Sequence, residues 1–291
     1  MRERICKRLI KFIENQENYH CVNIGLIGGE VTILKDFPNI MTTICGSRFK
    51  GKIKFYVTTN FSQDVEYFCQ LCDIIQRSAY ERKLHISASF YPEYTSREGF
   101  IEKIKEIDAY IQKKQSNRSP VDLLLRKRQE RKISLSAGIP IFSDTDYNGF
   151  LDMCAAFEDT CIDIKPIIIR KYHTEISDDV TKALLKNVRK GIRVSDLNGN
   201  EYCFQNIQAL GTALEDRDSF CPSGYCCDAG IHNIWIDAFG NVKRCPAIGN
   251  TMGLGNIING SFRLLDAPAV CTSDHCSCNQ FGRIEKLSSI T

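Results

Sequence analysis

The chain has 291 residues, with 38 Lys plus Arg against 35 Asp plus Glu, and a net charge of +3. That balance argues against a strongly basic nucleic-acid binder, and 43% apolar with 25% charged residues is a globular rather than a disordered composition. No apolar run approaches the ~18 residues that span a bilayer, and the basic amphipathic start, MRERICKRLIKFIENQ, lacks the continuous apolar stretch of a signal peptide.

Ile5, Leu9, Phe12 and Ile13 make a helical stripe over residues 2–18. Residues 20–27 (HCVNIGLI) form a short apolar strand that ends in Gly28-Gly29. A helix is predicted over 37–45 and a second strand over 52–58 (KIKFYVT). Ser62 is the expected cap of a helix running to about residue 82. A third strand follows at 84–90, then a helix capped by Ser96 through residue 112. Strands at 133–140 and 164–170 flank a helix near 146–158. Ser177 caps the last helix of this set, which stops at Gly191. Strand–helix alternation of this kind means parallel strands with helical crossovers, and both doubly wound sheets and (β/α) barrels fit it. Five units are too few for a closed eight-stranded barrel. The first unit begins with a helix, so it lacks its strand, and the strand at 20–27 is left at a sheet edge.

Beyond Gly191 the pattern changes. IRVSDLNGNEYCF reads as a hairpin turning at Asn198-Gly199, and IHNIWIDAFGNVKRCP as a second hairpin turning over 238–241. The expected boundary falls near 192–205. Between the two regimes of the front half, residues 113–132 carry eight basic side chains against Asp122 and Glu130. This run reads as a solvated excursion, and it has no aromatic residues for stacking on bases.

Cysteine is the compositional outlier, with 15 residues, an odd count and no export signal. Reduced thiols in a cytoplasmic, reducing compartment fit this better than disulfides, and clustering points to metal. Seven of them lie between Cys221 and Cys278, in a tail too poor in apolar residues to build its own core. Cys227 precedes the second hairpin and Cys245 ends it, so the two lie close. Cys276 and Cys278 have C-x-C spacing, with Cys271 five residues before. The spacing alone leaves iron–sulfur, zinc and unligated thiols open. The isolated pair Cys69 and Cys72 reads as core thiols on a helix face, and His85 as a packed or rim histidine.

The tail resembles the SPASM/twitch auxiliary-cluster domain of the radical S-adenosylmethionine superfamily. The features that carry the likeness are Cys227-Asp228-Ala229-Gly230, the hairpin IWIDAFGNVKRC, then Leu254-Gly255-Asn256-Ile257 and the terminal cysteines. The front half is similar to the superfamily's partial barrel. GLIGGE resembles its G-G-E motif, KFYVTTN its next strand, and HISASFYPE its S-x-H-P-E, with Tyr91 in place of the histidine. The resemblance implies an α/β fold: an incomplete (β/α)6 partial barrel over 1–192, first strand missing, followed by a small Cys-rich domain with β-hairpins over 193–291. It implies an auxiliary [4Fe–4S] cluster on Cys227, Cys245, Cys271, Cys276 and Cys278, with Cys221, Cys226 and His275 as further candidates. Trp235 and Phe239 would shield that cluster from water. It also implies an S-adenosylmethionine site at Gly28, Gly29, Glu30, Asn60 and Ser89, where Glu30 receives the methionine ammonium. The superfamily's C-x3-C-x2-C loop is not found in the sequence. The expectation is that the chain starts inside its first βα unit, and that a full-length form cleaves S-adenosylmethionine. The substrate would be a peptide, protein or small molecule, with an external electron donor and no membrane or nucleic-acid partner. The alternatives are a non-catalytic iron–sulfur carrier or scaffold, and a zinc-stapled structural protein.

Overall fold

A computed structural model describes residues 2–16, 18–26, 29–116, 131–141, 144–160, 162–168, 192–195, 201–204, 223–224, 226–245, 253–273 and 284–285. The chain divides into two compact units. One is Ile10–Asn187; the other joins Val188–Thr291 to Met1–Leu9. The division falls within the opening helix α1 (Arg2–Glu14).

The larger unit is built on five parallel strands: β1 (Cys21–Leu26), β2 (Lys52–Thr59), β3 (Arg82–Ser89), β4 (Ile133–Ile141) and β5 (Asp163–Ile168). They lie side by side in chain order, with β1 and β5 at the edges. A doubly wound sheet has a point where strand order reverses, and among the described residues this sheet shows none. Helices α2 (Phe37–Cys45), α3 (Val65–Arg77), α4 (Arg97–Ser116) and α5 (Asp146–Ala156) alternate with the strands.

Strand alternation decides which face the helices cover. On one face, Ile53, Phe55 and Val57 of β2 and Leu84, Ile86 and Ala88 of β3 are buried. They share the core with Phe68, Leu71 and Ile75 of α3 and with Phe100, Ile104, Ile107 and Ile111 of α4, a stripe at helical spacing. The other face carries Lys54, Tyr56 and Thr58, then Lys83, His85 and Ser87, then Ser134 and Ser136. Register puts Tyr56, His85 and Ser134 in one row and Thr58, Ser87, Ser136 and Asp163 in the next.

Two boundaries differ from the sequence reading. Helix α3 is capped by Asp64, whose carboxylate accepts the Tyr67 N–H at 2.8 Å, not by Ser62. It stops at Arg77, because Ser78 turns to extended backbone and Arg82 already belongs to β3. Replacing Asp64 by Ala is expected to cost about 1 kcal/mol in chemical unfolding, the usual loss for an N-cap, whereas Ser62→Ala should change little. Ser96 does cap α4, accepting the Gly99 N–H at 3.0 Å. The helix predicted from Ser177 and most of the basic run lie outside the described residues.

The smaller unit contains short antiparallel sheets. Strands β6 (Ile192–Ser195) and β7 (Glu201–Phe204) pair as a hairpin. The second hairpin joins β9 (Trp235–Ile236) to β10 (Asn241–Lys243), which also pairs with β11 (Gly253–Asn256). Strand β8 (Cys226–Cys227) lies between β12 (Ala269–Val270) and β13 (Ile284–Glu285). The L-G-N-I segment fastens the hairpin turn. Asn256 donates from its amide to the Phe239 carbonyl at 3.1 Å and to the Asn241 side chain at 3.0 Å, while the Ile257 N–H reaches the Gly240 carbonyl at 2.9 Å.

Candidate functional site

Parallel sheets gather chemistry at the carboxyl ends of their strands. At that edge the chain leaves β1 through Gly29, whose φ of +55° is left-handed, and reaches Glu30. Gly28 lies outside the described residues. Glu30 caps the short 3-10 turn Val31–Ile33. Its Oε1 accepts the Thr32 N–H at 3.0 Å and the Thr32 hydroxyl at 2.5 Å, and its Oε2 accepts the backbone N–H of Asn60. A carboxylate has about four acceptor positions, and three of those on Glu30 are taken by donors among the described residues. The structure thus brings Glu30 and Asn60 together. Ser89 ends β3 on the same edge, 6% exposed, and makes no hydrogen bond to either among the described residues.

The segment after β2 is tightly held. Phe61 has a φ of +63°, a conformation costly for a bulky residue. Its N–H donates to the Thr59 hydroxyl at 3.0 Å. Its ring stacks on Phe68 at 4.4 Å and meets Phe100 edge-on at 5.8 Å. Lys103 of α4 donates to the carbonyls of Phe61 at 3.0 Å and Gln63 at 2.8 Å. Burial pulls the Lys103 ammonium below its ordinary range. Near Glu30 the Tyr67 hydroxyl is buried with no hydrogen-bond partner among the described residues. Burial, and secondarily the Glu30 charge, push it up to about 12. Thr32, Phe61, Tyr67 and Lys103 escaped the sequence reading; only the position of Thr32, two residues after G-G-E, gave a local signal.

On the polar sheet face, His85 stands between two serines. Its Nδ1 is 2.9 Å from the Ser134 hydroxyl and its Nε2 is 3.2 Å from that of Ser136. Desolvation, reinforced by Lys165 and opposed by Asp163, lowers it to about 4, so the imidazole is neutral at physiological pH. This is the packed histidine that the sequence suggests. The Cys69 and Cys72 thiols are held up by burial, Cys72 to about 12; Cys72 is the core thiol the sequence suggests, whereas Cys69 is only half-buried. Cys69 lines a groove of about 690 Å³ with Cys45, Asp73 and Tyr110, away from the strand ends.

In the smaller unit, Cys227, Cys245 and Cys271 fall into one buried cluster with Ala229. The C-D-A-G segment is a tight turn. Gly230 has a φ of +99°, and a Cβ there would meet Arg244 and Leu265 at 3.0 Å. The turn brings the Ala229 N–H to 3.5 Å from the Cys227 sulfur. Cys226 is half-buried on β8, while Cys221, Cys276, Cys278 and His275 lie outside the described residues. Cys45, Cys69, Cys72, Cys226, Cys245 and Cys271 are free thiols. Among the described residues no group of three or more His, Cys, Asp or Glu side chains is arranged to hold a metal ion. The donor chemistry of this cluster is nonetheless that of soft iron or zinc: thiols only, buried, with an amide N–H on one sulfur. One expectation is corrected. Phe239 sits on the hairpin turn, 68% exposed, and does not shield the thiols. Gly240 takes a left-handed φ there and Asp237 accepts the Phe239 N–H, which turns that ring outward; Trp235 is half-buried.

No family model matches the chain, and neither does any curated protein. No helix among the described residues is long and apolar enough to cross a membrane.

Proposed function

We propose that the chain belongs to a radical S-adenosylmethionine protein whose C-terminal unit carries an auxiliary [4Fe–4S] cluster. The observation that carries this reading is the gathering of Cys227, Cys245 and Cys271, from three separate segments, into one buried cluster. Cys276 or Cys278 would supply the fourth thiolate. A bound cluster supplies one-electron chemistry or an anchoring iron. The sequential parallel sheet is read as a partial (β/α)6 barrel. At its strand ends Gly29 and Glu30, with Asn60 and Ser89, would hold S-adenosylmethionine, and Glu30 would take the methionine ammonium. Thr32 and the Asn60 N–H aim that carboxylate in advance.

The sequence contains no C-x3-C-x2-C, so reductive cleavage is assigned to a form that supplies three such thiolates. The chain by itself would bear the auxiliary cluster without cleaving S-adenosylmethionine. Its setting would be cytoplasmic, with an external electron donor and a peptide, protein or small-molecule substrate. Anaerobic reconstitution with iron and sulfide tests the reading. The expected result is about four irons per chain and a sulfide-to-iron absorbance band, both abolished in a Cys227→Ala, Cys245→Ala double variant. One zinc and no iron would replace this reading with the zinc-stapled structural protein.

A further inference from the structure

Strand β10 ends at Lys243 and is followed directly by Arg244 and Cys245, and Arg244 is 1% exposed. Its Nε donates to the Ala229 carbonyl at 3.0 Å, and its Nη1 to that of Val270 at 3.1 Å. Its Nη2 reaches the carbonyls of Cys227 at 2.9 Å and Ala269 at 2.8 Å. These acceptors are not scattered. Cys227 is itself one of the clustered thiols, and Ala229 is the residue whose N–H approaches the Cys227 sulfur. Val270 directly precedes Cys271, and Arg244 is covalently joined to Cys245. One side chain thus contacts all three segments that deliver a buried thiol. The bonds it makes are to backbone, so they fix where the Cα atoms of the cysteines sit whatever the thiols bind.

We propose that Arg244 is the positioning residue of the thiol site, and that its guanidinium also sets the charge seen by whatever the thiols hold. This rests on reading that site as an iron–sulfur centre. A guanidinium is a permanent cation with a rigid planar fork, suited to bridging several carbonyls at fixed angles. Thiolates and the cluster they ligate are anionic, and a cluster gains negative charge on reduction. A buried cation in contact with the ligand-bearing backbone favours the reduced form and raises the reduction potential. Lysine in its place keeps the charge on a flexible stem. Glutamine keeps some hydrogen bonding and loses the charge.

The experiment compares the wild-type chain with Arg244→Lys and Arg244→Gln after anaerobic reconstitution with iron and sulfide. Iron content, thermal unfolding of the metal-free proteins and spectroscopically monitored reduction potential are the readouts. The expected pattern is full iron uptake in the wild type and reduced uptake in Arg244→Lys, whose single ammonium cannot span the four carbonyls, with the cluster it retains close to the wild-type potential. Arg244→Gln should lose at least half its iron, and the cluster it retains should show a more negative potential. If Arg244→Gln retains no iron while Arg244→Lys loads and keeps the wild-type potential, the proposal also stands. It is overturned if Arg244→Gln loads fully with an unchanged potential. It is likewise overturned if the cluster that Arg244→Lys retains shifts in potential as far as that of Arg244→Gln, because the retained charge would then have no effect. A wild-type chain that takes up no iron refutes the iron–sulfur reading itself, which the comparison of variants does not address.

Discussion

Replacing Arg82 by Met should destabilise the larger unit by about 3 kcal/mol, the cost of leaving carbonyls that its two terminal nitrogens serve buried without a donor. Arg82 opens β3 and is 0% exposed. Its Nη1 donates to the Gly51 carbonyl at 2.9 Å, and its Nη2 to the carbonyls of Phe49 at 2.9 Å and Ser47 at 3.2 Å. Those three residues form the connection between α2 and β2. Burial holds the guanidinium below its ordinary range, a sign that solvation has been replaced by these carbonyls. Methionine preserves most of the stem's packing, so the loss comes from the head group. Each carbonyl left buried without a donor costs about 1–3 kcal/mol. Urea unfolding monitored by circular dichroism measures the effect; a change below about 1 kcal/mol would mean that water or a rearranged loop replaces the clasp. Arg82→Lys should fall between, since one ammonium cannot span the carbonyls that the fork reaches.

Arg82 and Arg244 escaped the sequence reading, which runs a helix to about residue 82 and begins the third strand at 84, yet the alternation of strand residues holds a signal for both. Arg82 occupies the same parity as Leu84, Ile86 and Ala88, and Arg244 the same parity as Val242. An arginine on the inward parity of a strand is either an error of register or a buried clasp, and in both places it is a clasp. The sheet itself was readable because its apolar faces repeat every second residue and its helices every third or fourth. Glu30 was found by its glycines, and Gly29 does adopt the left-handed turn that the motif suggests.

What stayed hidden depends on contacts between distant segments. Phe61 is sequence-adjacent to Asn60, but its left-handed backbone is enforced by Lys103, forty-two positions away. A phenylalanine carries no local signal for positive φ, so nothing in the sequence announced it. The cap of α3 was misplaced because Ser62 and Asp64 are both competent cap residues, and only the path of the chain out of the Phe61 turn selects Asp64. Phe239 looked like a shield because aromatic residues near thiols usually pack, yet the Asp237-centred turn points it outward. The convergence of three cysteine segments was suggested by hairpin geometry for Cys227 and Cys245 alone. Cys271 joins them because β12 pairs with β8, a long-range contact with no pattern in the intervening sequence.

Lowering the pH from about 6.5 to about 4 should remove roughly 3 kcal/mol of stability through His85 alone. The folded state lowers this histidine from 6.5 to about 4, chiefly by desolvation, with Lys165 of β5 adding to the effect and Asp163 of β5 opposing it. The other groups facing it are the Tyr56 ring, 6.0 Å away on β2, and the Ser134 and Ser136 hydroxyls of β4. Because the folded value is depressed, the unfolded chain takes up the proton first. The contribution is complete above pH 6.5 and declines by about 1.4 kcal/mol per pH unit as the pH falls. It is gone at about 4, where the folded imidazole must charge as well. Carboxylates also titrate toward the acid end, so the informative quantity is the difference between the wild type and His85→Gln, whose amide can bond both serines without titrating. The two proteins should approach each other in stability as the pH drops through that window. Parallel curves between pH 6.5 and 4.5 would show that the polar sheet face is open enough to water for His85 to titrate normally. In that case His85 would be as open to solvent as its row neighbour Tyr56, which is 42% exposed.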